Sequence, residues 1–238
     1  MGSGLRLAAS ALLLGACASV EAPPARVAEP GAGPVVEEAV DPGPLSLESE
    51  IGGMSQEGVE RKLAELHPRF VACVERASER LSAIGGRVNV RMRVDRSGQV
   101  RWAYLTDTTL GDREAESCVL ELVKSRRWPR PKSGEGLAET SFEVEAADAP
   151  REVPAPRASL FARQASYATR KCREGLPKGF VATAYLSAKG EVLTAGVAPP
   201  NETAESASDC IVEALRGLRA AGLVAARGAP AKVSVRIP

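Results

Sequence analysis

Histidine occurs once in these 238 residues, at His67. Most hydrolytic, zinc-dependent and proton-shuttling chemistry relies on that side chain, and a lone copy next to a proline reads first as a packing or capping residue. Aromatic residues make up only 4% of the chain, too few for stacking platforms or ring-lined carbohydrate clefts. Neither sign of charge dominates: 31 basic and 30 acidic residues leave a formal charge of +1, without the basic surplus of a nucleic-acid binder, so no nucleic acid is expected as a partner. No apolar run reaches the roughly 20 residues of a bilayer span. There is no Gly-x-x-x-x-Gly-Lys phosphate loop and no Gly-x-Ser-x-Gly elbow. The cysteines lack the Cys-x-x-Cys spacing and neighbouring histidine of a metal cluster. The expectation is a protein that is not an enzyme and holds no cofactor and no metal. With 44% apolar and 26% charged residues, it is otherwise of globular composition.

The first residues read as an address. Arg6 gives a charged start, Leu7 to Ala16 is uninterruptedly small or apolar, and Cys17 follows. This is the pattern of a secretory signal peptide over residues 1–16. Leu14-Gly15-Ala16-Cys17 closely resembles the bacterial lipobox. The resemblance implies that Cys17 is acylated, becomes the first residue of the mature chain and anchors it to a membrane. Ala18, where an Asp would signal inner-membrane retention, points to the outer membrane, with the domains facing the periplasm. Between Ala18 and Met54 the chain is rich in Pro, Ala, Gly and Val, with seven acidic residues against one basic. It has no sustained apolar period, and residues 17–51 are expected to form an extended tether.

Four cysteines remain, an even number in an exported, oxidising context. Of three possible connectivities an internal repeat favours one. Val-Asp-Arg-Ser-Gly-Gln-Val at 94–100 superposes on Leu-Ser-Ala-Lys-Gly-Glu-Val at 186–192, an offset of 92 that also carries Cys118 onto Cys210. Cys172 lies 99 after Cys73, so the second copy has a shorter first helix or loop. The reading is a duplication with Cys73 paired to Cys118 and Cys172 to Cys210.

In the first copy Ser55 is a candidate N-cap. Val59, Leu63, Leu66, Phe70, Cys73 or Val74, Ala77 and Leu81 form one helical stripe, with a kink or restart expected at Pro68. Val88, Val90, Met92 and Val94 alternate with polar residues as a strand, Asp95 to Gly98 makes a hairpin turn, and Val100 to Leu105 returns. A helix is expected over 114–127, a stop at Trp128-Pro129 and a last strand over 137–145. The fold class is therefore α+β. Residues 52–146 and 157–238 are expected as two tandem domains, each a three-stranded antiparallel sheet backed by two helices, joined by a linker over 147–156.

His67-Pro68-Arg69-Phe70, the run Gly86 to Val100 with its Asp-Arg-Ser-Gly turn, and Arg127-Trp128-Pro129 resemble a TonB C-terminal domain. The cysteine pair and Gly52-Gly53-Met54-Ser55 make the chain more similar to the AgmX/PglI C-terminal domain family of TonB-like modules, whose members are mainly myxobacterial envelope proteins. The second copy is a degenerate match, because Gly222-Leu223-Val224 stands where the Trp-Pro stop would be. The resemblance implies binding by addition of a partner's extended segment to the exposed last strand. Here that strand is Thr140, Ser141, Phe142, Glu143, Val144 and Glu145, and by analogy Lys232 to Ile237. Envelope proteins are the expected partners, in a motility, secretion or transport assembly. Glu139, Glu143 and Glu145 either select a basic strand or merely keep the edge soluble. Arg91 and Arg93, with Arg87, Arg96 and Arg101, form a basic ribbon for an anionic patch or a solvated strand face. Trp102 and Tyr104 either share that face or point into the core. Two other readings are kept: a wall tether holding peptidoglycan through this ribbon, and an enzyme with a pocket between the two domains.

Overall fold

The computed structural model describes residues 53–220 and 228–238, which belong to one compact unit. The signal peptide, Cys17, the tether and Gly222 to Val224 lie outside the described residues. Helix α1 (Gln56–Arg80) starts where Ser55 accepts the amide of Gly58, and it buries Val59, Leu63, Leu66, Phe70, Cys73, Val74 and Ala77. That is the apolar stripe of the sequence, and α1 runs through Pro68 without restarting. Pro68 and Ala64, the residue whose carbonyl loses its helical donor, are both exposed, so water can satisfy the freed oxygen.

Strands β1 (Gly86–Val94) and β2 (Val100–Thr108) form the expected hairpin, β2 three residues longer than its apolar pattern suggested. Asp95 closes the turn by accepting the amides of Ser97 and Gln99. Gly98 is required twice: its φ is +85°, and a Cβ would lie 2.4 Å from the Trp128 carbonyl oxygen. Trp128 returns its own amide to the Gly98 carbonyl, and its indole N–H donates to the Val123 carbonyl. The Trp-Pro stop thus locks the hairpin tip to helix α2 (Arg113–Lys124), whose N-cap is Asp112. Strand β3 (Gly136–Val144) completes a three-stranded antiparallel sheet in the order β2-β1-β3.

The second half repeats the order helix, strand, strand, helix, strand: α3 (Ala155–Ala168), β5 (Phe180–Leu186), β6 (Val192–Ala198), α4 (Ser208–Arg216) and β7 (Ala231–Ile237). Its sheet has four strands, not three. Residues Arg151–Glu152, in the segment expected as a free linker, form β4 and pair in parallel with β7, giving the order β4-β7-β5-β6. Both disulfides are those read from the repeat. Cys73–Cys118 joins α1 to α2, and Cys172–Cys210 joins the 3₁₀ turn Lys171–Arg173 to α4.

The halves share a face. Tyr185 of β5 is fully buried in the first core, and its hydroxyl donates to the Gly85 carbonyl, which also accepts Lys232 at 2.9 Å. Thr183 reaches the Thr108 carbonyl, and Thr194 donates to Asp112 at 2.9 Å. The sheet of the second half is therefore covered on one side by α3 and α4, and on the other by the β2–α2 corner of the first half. On the outer face of the first sheet, Glu139 and Ser141 of β3 are half-buried and Glu143 is exposed.

Candidate functional site

The candidate residues on β3 divide by strand alternation. Thr140 and Phe142 point into the core, where Phe142 stacks on Phe70 at 5.2 Å between ring centroids. His67, exposed on α1, meets the same Phe142 ring edge-on at 6.2 Å. Ser141 and Glu143 lie on the outer face, Val144 is half-buried, and Glu145 falls just past the end of the strand.

Which edge these residues offer follows from the ladder. The amide and carbonyl of Arg87 both bond to Thr109, on the β2 side of β1, and the amide of Asp95 bonds on that side too. Arg87 is directly opposite Glu143, Asn89 opposite Ser141 and Arg91 opposite Glu139, without a register shift. These are consequently the pairs that exchange no hydrogen bond between β1 and β3. The amide and carbonyl groups of Glu139, Ser141 and Glu143 project from the far side of β3, which is an edge of the sheet.

The analogous edge of β7 is partly filled by the chain itself. Arg151 donates its amide to the Pro230 carbonyl at 2.9 Å, Val153 donates to the Lys232 carbonyl at 3.2 Å, and the Arg151 side chain donates to Ala229. Lys232, expected within an open edge, is therefore covered by β4. Pairing with β4 reaches no further than Lys232, and Ser234 and Arg236 are exposed.

The arginine ribbon faces outward as expected but is not a free positive surface. Arg91 binds the Glu139 carboxylate at 2.6 and 2.9 Å, and the other Glu139 oxygen accepts the Thr106 hydroxyl. Arg93 and Arg101 share Glu135, and Arg87 pairs with Asp107. Arg93 also lies over the Trp102 ring, 5.3 Å from its centroid, and Trp102 sits 5.7 Å from Tyr104. Both aromatics therefore share the arginine face. Of the three acids considered for the edge, Glu139 is occupied, whereas among the described residues Glu143 and Glu145 make no direct ion pair, Glu143 acting only at longer range on Lys232.

The most perturbed group was not anticipated. Glu116 is fully buried at the junction of the halves, where it accepts the Thr108 hydroxyl at 3.2 Å and the Val197 amide at 3.1 Å. Burial pushes its carboxyl up to about 8, against the opposing influence of the Val197 amide, Arg113 and Thr108. Arg113 bridges the halves to Glu205 at 2.9 Å and Asp209 at 2.7 Å, its side chain only 13% exposed. An acid at position 116 with Leu120 and Val123 on the same helical face is the sequence signal for a buried carboxyl. What seals it comes from residue 196, far along the chain. A Cβ on Gly196 would lie 2.0 Å from a Glu116 oxygen. Gly196→Ala is expected to lower stability by about 2–4 kcal/mol, and by much less in a Glu116→Ala background, as a double-mutant cycle of urea melts would measure.

Among the described residues no group of three His, Cys, Asp or Glu side chains is placed to hold a metal ion, and no helix is long and apolar enough to cross a membrane. Among the described residues the arrangement offers unpaired backbone donors and acceptors along the β3 edge, beside paired charges. No protein-family model, no curated protein and no solved structure matches this chain.

Proposed function

We propose that this protein is a non-catalytic outer-membrane lipoprotein, anchored through Cys17, whose TonB-like first half binds an envelope protein by strand addition to β3. The observation that carries the reading is the asymmetry of the two last strands. The edge of β3 is open along Glu139, Ser141 and Glu143, whereas β7 is already paired with β4 over its first residues. An open nine-residue strand offers main-chain hydrogen bonds to an extended segment, and its outward side chains offer selectivity. Glu143, exposed and without an ion pair among the described residues, favours a segment with a basic residue opposite it. The β4–β7 contact is itself a short strand addition made within the chain. The pairing of Arg87, Arg91 and Arg93 with acids weighs against the wall-tether reading. The sealing of Glu116 weighs against an enzyme with its pocket between the halves.

The test uses the non-lipidated chain from Ala18 as bait for native envelope extract, with both disulfides formed. A stoichiometric partner held by the wild type and lost with Glu143→Pro is the expected result. The proline removes an amide that projects from the open edge rather than one of the β1–β3 bonds, so an unchanged melting curve should accompany the loss. In the isolated complex the amides of Glu139, Ser141 and Glu143 should gain exchange protection. A partner that Glu143→Pro still retains overturns the strand-addition reading, and sedimentation with purified peptidoglycan alone replaces it with the wall tether.

A further inference from the structure

Cations without acidic partners among the described residues collect elsewhere, on the outer face of α3 and the turn that follows it. Its inner face buries Phe161 and Ala165 against the second core. The opposite face carries Leu160, Arg163 and Tyr167 at spacings of three and four, and Arg170 continues that row in the turn just past the end of the helix. Two of the three large apolar side chains exposed among the described residues are on it, Leu160 at 42% and Tyr167 at 80%. Arg163 and Arg170 are exposed and make no ion pair among the described residues, in contrast to Arg87, Arg91 and Arg93 of the first sheet. Lys171 and Lys178 extend the basic surface around the 3₁₀ turn, with Glu174 as the acid among them. Arg173 is engaged internally, donating to the Ser166 carbonyl, the Thr169 hydroxyl and the Pro238 main-chain oxygen. It thereby fixes the floor of a shallow cavity of about 510 Å³ that Arg163, Tyr167 and Arg170 border.

We propose that this face of α3 is a peripheral docking surface for an anionic phospholipid bilayer, with Arg163 and Arg170 on headgroup phosphates and Leu160 and Tyr167 in the interfacial layer. Charge complementarity identifies the occupant: unneutralised arginines and lysines attract phosphodiesters. Exposed Leu and Tyr between them gain from an interface that is wet on one side and apolar on the other, which an acidic polypeptide would not supply. A helix lying flat on a membrane presents this combination of a long apolar side chain, an aromatic ring and flanking cations. The surface lies on the second half, so it leaves the β3 edge free, and it stands independently of the strand-addition reading.

The experiment is co-sedimentation of the chain from Ala18, which carries no acyl group, with vesicles of phosphatidylcholine alone or with 30% phosphatidylglycerol. Binding to the anionic vesicles only, weakened by added salt, is the expected result. Arg163→Gln with Arg170→Gln should lower the partition about 30-fold. Tyr167→Ser should lower it further, and each variant should melt as the wild type does, since these side chains are exposed. Equal binding to both vesicles, or no binding to either, overturns the proposal. So does anionic binding that survives the double substitution. Displacement by a poly-glutamate peptide but not by excess inorganic phosphate would assign the face to an acidic protein instead.

Discussion

Replacing both Cys73 and Cys118 by alanine is expected to lower the unfolding free energy by about 4 kcal/mol. The bridge closes a sequence separation of 45 residues, a long loop whose freedom in the unfolded chain the crosslink removes. In the folded protein it joins the two helices that back the first sheet, and Cys73 is buried among Val74, Ala77 and Phe70. Two further effects add to the entropy term: two sulfurs leave a packed site, and Arg76, whose guanidinium contacts the Cys118 sulfur, loses that contact. The measurement is urea unfolding of wild type and variant, repeated with reductant. The variant should be insensitive to reduction of its missing bridge and still respond to loss of Cys172–Cys210, which spans 38 residues. A difference below about 1 kcal/mol would mean that the helices hold their places by packing alone. If binding runs through β3, the same substitution should weaken it more than loss of the second disulfide, because α1 and α2 back the sheet to which β3 belongs.

The second large effect is on pH dependence. In the unfolded chain Glu116 titrates near its ordinary value of 4.5, whereas in the fold its carboxyl is raised to about 8 by burial. Between those values the folded protein holds a proton that the unfolded chain has released. The contribution of this group is therefore complete below about pH 4.5, declines steadily as the pH rises, and is lost once it passes 8. Its size is on the order of 5 kcal/mol. Above pH 8 an anion must sit between Thr108 and the Val197 amide, with Arg113 as a nearby cation, and the junction of the halves should loosen first. Glu116→Gln keeps the shape and a hydrogen-bonding carboxamide but cannot ionise. The two proteins should be close in stability at pH 5, and the variant should be the more stable at pH 9. Parallel stability curves for the two would show that Glu116 titrates as an ordinary surface carboxylate and that the junction admits water.

How much of this was legible in the sequence depended on the range of the interaction. The α1 stripe, the Asp95–Gly98 turn and the alternation of β1 are local patterns, and each appears where its period placed it. The cysteine pairing was legible because a repeated turn supplied the register that spacing alone does not. The ends of α2 and β2 shifted by a few residues because Asp112 caps the helix earlier and β2 continues along β1 to Thr108. The restart considered at Pro68 does not occur, for a physical reason: a proline on the exposed side of a long, well-buried helix costs one bond that water replaces.

The candidate edge was legible only in part. Alternation places Glu139, Ser141 and Glu143 on one face of β3, but whether their amides project inward or outward depends on the phase of β1 against β2, set by the Arg87–Thr109 contact. Nothing in residues 147–156 marks them as a strand. Two residues acquire that conformation because β7 has an edge to offer them, which is a tertiary fact. Local sequence determined the helices, the hairpins and the two crosslinks, since those rest on period, turn chemistry and repeat register. The tertiary structure alone decided which face of the second sheet meets the first half, that Glu116 is sealed under Gly196, that the arginines of β1 are neutralised, and that one strand edge is open while its counterpart is partly covered. Each of these joins residues distant in the chain, and no local pattern carries the position of a partner that only folding brings near.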